Sequence, residues 1–244
     1  MELCRLYGDL ISQEMYRIKK GDGYVDAVDY SKEPYETLRI ELDTKLTPSQ
    51  NSQRYYKKYN RKKSARGELV RQIELSESEL RYVETVFDAL SRAETEKDLS
   101  EIREELSLWG YMKRDAKKLR LADKKQSVKP LSFTSPSGYE ILVGKNNIQN
   151  DFITTKLSER GDWWFHTKNY PGSHVLMCVG SREEPPAEDF TFACELAAEH
   201  SSAEGDNIAV DYTQIRYIKK PGGSKPGFVT YTTYWTAYVT PKNK

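Results

Sequence analysis

The sequence predicts an α+β protein. An antiparallel arm of long helices with a small β-hairpin occupies residues 1–129, and a compact mixed α/β head occupies residues 130–244. Three observations carry this reading. A proline-free run over residues 49–92 keeps helical spacing among Leu69, Ile73, Leu80, Val83, Phe87 and Leu90. Residues 24–30 and 37–42 alternate as strands do, with Ser31, Lys32, Glu33 and Pro34 between them. From Leu131 onward, long helical periods give way to short strand-like segments broken by Gly and Pro.

Each element of the arm follows from local pattern. Leu3, Leu6, Leu10, Ile11 and Ile18 recur at helical spacing, and Gly21 ends the run after Lys19 and Lys20. This helix begins on its apolar stripe with no capping residue before it, which predicts further chain upstream in the parent protein. Thr47 followed by Pro48 marks the start of the long helix, because Pro suits the first helical turn. So long a run needs a partner, and the helix over residues 3–18, antiparallel to it, is the expected one. A shorter helix over 98–108 carries Leu99, Ile102 and Leu106 and stops at Gly110. The Lys- and Arg-rich stretch 113–129, leading to Pro130, reads as a linker.

The head is read as two strands, 131–133 and 139–143, around a Ser135 to Gly138 turn, then an amphipathic helix with Ile148, Phe152, Ile153 and Leu157. Strands follow at 163–166 and 174–179, a helix at 187–201, and strand-like segments at 208–212, 215–218 and 228–239. No internal repeat or low-complexity tract interrupts the chain.

Composition bounds the function. In 244 residues, 38 Lys and Arg nearly cancel 37 Asp and Glu, so any attraction to nucleic acid must come from local patches. Aromatic residues reach 11%, with 17 Tyr, which argues for a folded chain. Cys4, Cys178 and Cys194 are odd in number and widely spaced, so they form neither a disulfide framework nor a zinc-ligand pair, and a reducing, cytoplasmic setting fits. No apolar stretch suits a membrane span, and the N-terminal residues lack the pattern of a signal peptide.

Four segments hold candidate chemistry. Arg216, Lys219, Lys220 and Lys225 flank a Gly- and Pro-rich loop whose backbone N–H groups suit phosphate; the ordinary alternative is a hairpin loop kept soluble by lysines. Lys145, Asn146 and Asn147 sit at a strand-to-helix junction suited to an anion, or to plain helix capping. Gly138 and Gly144 are one residue too far apart for a Walker A loop, and Asn146 replaces its Ser or Thr. The block Asp162, Trp163, Trp164, Phe165, His166, Thr167 and Lys168, with His174 soon after, puts alternate aromatics on opposite strand faces, one set for the core and one for stacking. His166, His174 and Cys178 match no familiar metal spacing, and a triad of Ser173, a His and Asp162 has no support from spacing. Finally, Arg54, Lys57, Lys58 and Lys62 belong to a run of basic residues and tyrosines free of acids, a cationic rod suited to an RNA backbone or simply a solvated face.

Together these segments resemble the NFACT family. The stretch from Gly138 to Asn147, the Trp164 to Lys168 and Pro171 to His174 blocks, Val210 to Thr213, and the Lys219 to Gly227 loop are similar to its NFACT-R domain. Tyr16 to Gly21, Leu42-Asp43 and Asn51 to Tyr59 are similar to its coiled-coil and middle region. The likeness is strongest to the bacterial ribosome-quality-control branch, some of whose members carry an older fibronectin-binding name.

The resemblance implies a parent protein that binds large ribosomal subunits obstructed by peptidyl-tRNA, through rRNA and tRNA, and supports alanine tailing of the stalled chain. Peptidyl transfer would belong to the ribosome, so no catalytic residue, cofactor, metal or membrane contact is expected here. It also implies an NFACT-N half, absent from this sequence, that would hold most tRNA-selecting residues. Carried over residue by residue, Lys145, Asn146, Asn147, His166, Lys168, His174, Arg216, Lys219, Lys220 and Lys225 become the RNA-facing set. Arg54, Lys57, Lys58 and Lys62 become a ribosome-binding arm. A fibronectin-binding surface adhesin is the rival reading, and a nucleotide-directed enzyme built on His166 and His174 is a weaker one.

Overall fold

A computed structural model describes residues 1–31, 33–113, 129–180 and 184–241. All of the predicted linker except Lys113 and Lys129 lies outside them. The chain forms two compact units, Met1–Glu77 and Ser78–Lys244, so the division falls inside the long helix.

In the first unit, α1 (Glu2–Gln13) is followed by the antiparallel hairpin of β1 (Tyr24–Asp29) and β2 (Glu36–Glu41), in a register running from Tyr24 opposite Glu41 to Asp29 opposite Glu36. Then α2 (Pro48–Ser91) begins. Its start is a capping box: the Gln50 amide donates to Thr47 Oγ1 at 3.3 Å, and the Thr47 amide donates to Gln50 Oε1 at 2.9 Å. Leu10, Ile11, Ile18, Val25, Ala27, Ile40, Leu42 and Tyr55 form the core.

The pairing of α1 with α2 is antiparallel, as expected, but short. Tyr56 donates its hydroxyl proton to Asp9, and Ser12 bonds Ser52 at 2.7 Å. Gly8 lets the Tyr56 ring approach so closely that a Cβ there would stand 3.0 Å from it. α1 ends at Gln13 rather than near Ile18, which reaches the core from the following turn. With 12 residues against 44, α1 spans little of its partner at ~1.5 Å per residue. The seam of Leu69, Ile73, Leu80, Val83, Phe87 and Leu90 is exposed, up to 72% at Phe87.

In the second unit, the last turns of α2 place Tyr82, Val86 and Ala89 against Ile102 of α3 (Glu96–Leu108), which opens on a Thr95–Asp98 capping box. The head is one antiparallel sheet of β3 (Leu131–Thr134), β4 (Glu140–Val143), β5 (Trp163–Thr167), β6 (Val175–Cys178), β7 (Ile208–Gln214) and β10 (Trp235–Val239), ordered β10-β7-β5-β6-β4-β3. Between β4 and β5 lie α4 (Asn147–Phe152) and a π-helical turn, Ile153–Leu157. α5 (Ala187–Glu199) packs Ala193, Cys194, Leu196, Ala197 and Ala198 on Ile141, Val143, Trp163, Phe165, Val175, Met177, Ile208 and Val210. The opposite face buries Leu142, Leu176 and Trp164, the first two against Ile153. Burial on both faces explains the unbroken apolar runs of β4 and β6.

Two strand-like segments are subdivided. Residues 215–217 form a 3₁₀ turn before the two-residue β8 (Ile218–Lys219), and 228–239 splits into β9 (Thr230–Tyr231) and β10. β8 and β9 pair as a separate hairpin, and Thr213 Oγ1 donates to the carbonyl of Thr233 where the chain crosses to the sheet edge.

Gly144 makes the tightest turn of the head, since a Cβ there would lie 2.2 Å from Asn150 Oδ1 and 2.8 Å from its backbone nitrogen. Asn150 cannot yield freely: it accepts from the His174 amide at 2.9 Å and donates to the Gly172 carbonyl at 3.2 Å. Gly144→Ala is therefore expected to destabilise this unit by about 2–3 kcal/mol in urea denaturation. Gly161→Ala, with nothing within 4 Å of the added carbon, should stay within roughly 0.5 kcal/mol.

Candidate nucleic-acid interface

The turn from Lys145 to Gln149 is built from amides and faces α3. Asn146 caps α4 by accepting from the Gln149 amide at 2.9 Å, and its Nδ2 donates to Glu101 Oε2 at 2.7 Å. Gln149 Nε2 donates to the same oxygen at 2.7 Å. Asn147 Nδ2 donates to Glu105 Oε1 at 2.9 Å and to Thr85 Oγ1 at 2.8 Å, while Tyr82 gives its hydroxyl proton to Glu105 at 2.9 Å. Lys145 Nζ pairs with Asp98 at 3.1 Å. Asp98, Glu101, Glu105, Asn146 and Asn147 are all buried. The amides expected to face RNA are thus turned inward, where they satisfy carboxylates that would otherwise be stranded. Burial, offset by the bonds from Asn147 and Tyr82, holds the Glu105 carboxyl above its usual range.

His174 is buried as well, with Nδ1 2.8 Å from Thr154 Oγ1. Trp164 stacks on His166 at 5.6 Å between ring centres and meets His174 edge-on at 5.1 Å. Burial lowers the His166 pKa to about 4, and burial together with His166 pushes that of His174 well down. Both rings are neutral near pH 7 and offer no positive charge to a phosphate. Ser173 accepts from Arg92 Nη1 at 3.1 Å, and Asp162 accepts the amides of Val179 at 2.8 Å and Glu159 at 2.7 Å, so both polar groups serve the fold. Among the described residues no cluster of His, Cys, Asp or Glu is placed to hold a metal ion, and no helix is long and apolar enough to cross a membrane.

The basic loop packs onto the amide turn. A Cβ on Gly227 would stand 2.9 Å from Asn147 Oδ1, and Gly223 and Gly227 both have φ near +75°, the left-handed region that glycine enters freely. Two separate sequence segments therefore converge. Their cations divide in role. Lys225 is committed to Glu79 and lies over the rings of Tyr82 at 4.1 Å and Tyr111 at 4.9 Å, whereas Lys220 pairs with Asp151 near the surface. Arg216 and Lys219 are exposed, with Arg216 5.9 Å from the Tyr217 ring centre.

Lys168 lies 3.4 Å from Asp211 and 5.1 Å from the Tyr234 ring centre. Burial opposes its charge, but the attraction and hydrogen bond of Asp211 outweigh that and raise its pKa. Asp211 also accepts from Tyr231 at 3.0 Å and Thr236 at 2.6 Å. The aromatic run Tyr231, Tyr234, Trp235 and Tyr238, whose Tyr231 bonds this carboxylate, was not among the sequence candidates; its signal was four rings within eight residues of a strand-like segment. In the first unit, Arg54, Lys57, Lys58 and Lys62 are exposed on α2, with Arg54 3.6 Å from Asp43 and Lys58 5.1 Å from the Tyr55 ring centre.

The two histidines make stability depend on pH. Their folded pKa values lie below the unfolded value, so their contribution is complete above about pH 6.5 and is lost progressively as pH falls from there through the folded values, about 4 for His166. Glu105, shifted the other way, offsets part of the loss. The free energy of unfolding is expected to drop by roughly 1–2 kcal/mol from pH 7 to pH 5. NMR titration should find the His166 and His174 rings still neutral when the exposed, unfolded-state imidazole would already be charged.

The profile of the NFACT N-terminal and middle domains matches residues 1–126, and that of the NFACT protein RNA binding domain matches residues 129–231. Rqc2 homolog RqcH of Bacillus subtilis (strain 168) is 40% identical over 238 residues, covering 97% of this chain and 41% of the relative. Rqc2 homolog RqcH of Streptococcus suis (strain 05ZYH33) is 41% identical over 244 residues, covering 98% of this chain and 42% of the relative. The solved C-terminal part of the fibronectin/fibrinogen-binding protein from Streptococcus suis superposes with a TM-score of 0.71 at 34% identity, covering 98% of this chain and 83% of that one. The chain thus spans about two-fifths of the length of these curated relatives. With one profile covering the first unit and running into the second, and the RNA-binding profile covering most of the head, the chain belongs to the NFACT family.

Proposed function

We propose that this chain is the RNA-binding part of a cytoplasmic, ribosome-associated quality-control factor. In this reading it binds obstructed large ribosomal subunits and tRNA and supports alanine tailing of stalled nascent chains. The observation that carries the reading is the exposed cationic edge of the head, Arg216, Lys219 and Lys220, on a domain matched by an RNA-binding profile. Phosphate contacts of this kind position an RNA without reading its sequence. The exposed cations Arg54, Lys57, Lys58 and Lys62 on α2 supply a separate contact to rRNA or to a ribosomal protein. The chain carries no reaction step of its own; peptidyl transfer remains with the ribosome.

A surface adhesin is the second reading, favoured by the name of the structural relative from Streptococcus suis, a fibronectin/fibrinogen-binding protein. Fibronectin binding that persists at high salt and resists RNA competition would support it.

The test replaces Arg54, Lys57, Lys58 and Lys62 with Ala in one variant, and Arg216, Lys219 and Lys220 in another. Lys145 and Lys225 stay intact because their ion pairs belong to the fold. The first variant is expected to lose mainly large-subunit binding, and the second to lose both subunit and free-tRNA binding. Each lost phosphate contact should flatten the dependence of log affinity on log salt by roughly 0.7–0.9. Parental affinity and salt slope in both folded variants would defeat the reading.

A further inference from the structure

The cross-strand register of β5, β7 and β10 puts two rows of side chains on the sheet face opposite α5. In the inner row, His166 is opposite Asp211, which is opposite Thr236. In the outer row, the Lys168 amide donates to the Ala209 carbonyl at 2.8 Å, and Ala209 is opposite Tyr238. Alternation along β10 keeps Tyr238 on the face of Thr236, which bonds Asp211. Lys168 and Tyr238 therefore flank Ala209 from either side, two strand spacings or roughly 9–10 Å apart.

The surroundings hold this row open. Ala209 presents only a methyl group between two long side chains. Tyr234 leans over Lys168 from the crossing segment and is fixed edge-on against Tyr231 at 5.2 Å, while the Tyr231 hydroxyl is anchored on Asp211. Asp211 thus fixes three neighbours: Lys168, Tyr231 and Thr236. Tyr234 and Tyr238 are 44% and 65% exposed. Asn169, next to Lys168, has φ +62°, a conformation rare for a residue with a side chain. The turn it makes follows directly after Lys168.

Exposed flat aromatic rings on a small-residue floor suit the face of a planar base. A duplex, whose bases are stacked inward, offers no free ring face to these tyrosines. We propose that Tyr238 and Tyr234, with Lys168 held on Asp211 across Ala209 from Tyr238, form a stacking site for an unpaired nucleotide of RNA. This rests on the RNA-binding reading above and adds to it a preference for single-stranded stretches. Arg216, Lys219 and Lys220 supply charge that duplex and single strand share, whereas the tyrosines act on the single strand alone.

The experiment compares binding of the whole chain to an unstructured oligouridylate and to a blunt RNA duplex with the same number of phosphates. The variants are Tyr238→Ala, Tyr234→Ala, their Phe counterparts, and a Lys219→Ala, Lys220→Ala double variant, each checked for an unchanged urea midpoint. Each Tyr→Ala change is expected to weaken single-strand binding roughly tenfold and to leave duplex binding unchanged, with Phe retaining the parental value because the ring does the stacking. The lysine variant should weaken both ligands. Equal losses on both RNAs, or no loss from either Tyr→Ala variant, would overturn the stacking site. If the lysine variant still responds, RNA binding survives and the exposed rings serve another partner, such as a polypeptide. Failure of the parental chain to bind either RNA would overturn both readings together.

Discussion

The second unit depends on a set of acid groups removed from water. Asp98, Glu101 and Glu105 occupy one stripe of α3 and are buried, a placement that is unfavourable for carboxylates unless each finds donors. The donors come from one short turn: Lys145, Asn146, Asn147 and Gln149, with Tyr82 completing the shell of Glu105. This network fixes where α4 starts. It also fixes Asn147, on which the Gly227 end of the basic loop rests. The loop that presents Lys219 and Lys220 is in this way tied to the register of α3.

Aromatic packing does comparable work across the sheet. Trp163 and Phe165 face α5, where Phe190, Tyr212 and Trp235 surround them within 4.8–6.0 Å. Trp164 and His166 face the other way, under Tyr231 and beside His174. A five-residue strand thereby serves two interiors at once, and its His166 and the neighbouring His174 are used as neutral, ring-shaped filling rather than as acids or bases. That use removes them from the phosphate-binding chemistry that their residue type suggests.

Much of the fold was legible because it follows from period and punctuation. Thr47 and Pro48 announce the start of α2, and the alternation of residues 24–30 and 37–42 announces the hairpin, which the structure forms over 24–29 and 36–41. The strand-like runs 139–143 and 174–179 announce β4 and β6, which the structure buries on both faces. The site was less legible, for a definite reason. An Asn at a helix start looks the same whether its free amide meets solvent, a phosphate or a buried glutamate, and the Glu that decides the matter lies 45 residues earlier. The helical seam was misassigned on similar grounds. Leu80, Val83, Phe87 and Leu90 have the right period, but the face that packs within this unit carries Tyr82, Val86 and Ala89, whose ring and small side chains fit α3. Periodicity identifies a stripe without naming what covers it.

The acid stripe of α3 also governs how the protein can be divided. Residue 129, where the RNA-binding profile begins, is a natural place to cut if sequence similarity alone sets the boundary. A head excised there would leave α3 behind and with it the acceptors for Asn146, Asn147 and Gln149. Four residues designed to sit against carboxylates, Lys145 included, would instead face water at the mouth of the basic loop, and Lys225 would lose both Glu79 and the Tyr82 ring. Such a piece would show a more basic and less ordered surface than the intact chain, and its avidity for polyanions would overstate that of the parent. A faithful fragment keeps the residues from the last turns of α2 onward, because the smallest autonomous piece is set by hydrogen-bond closure and not by the edge of a sequence family.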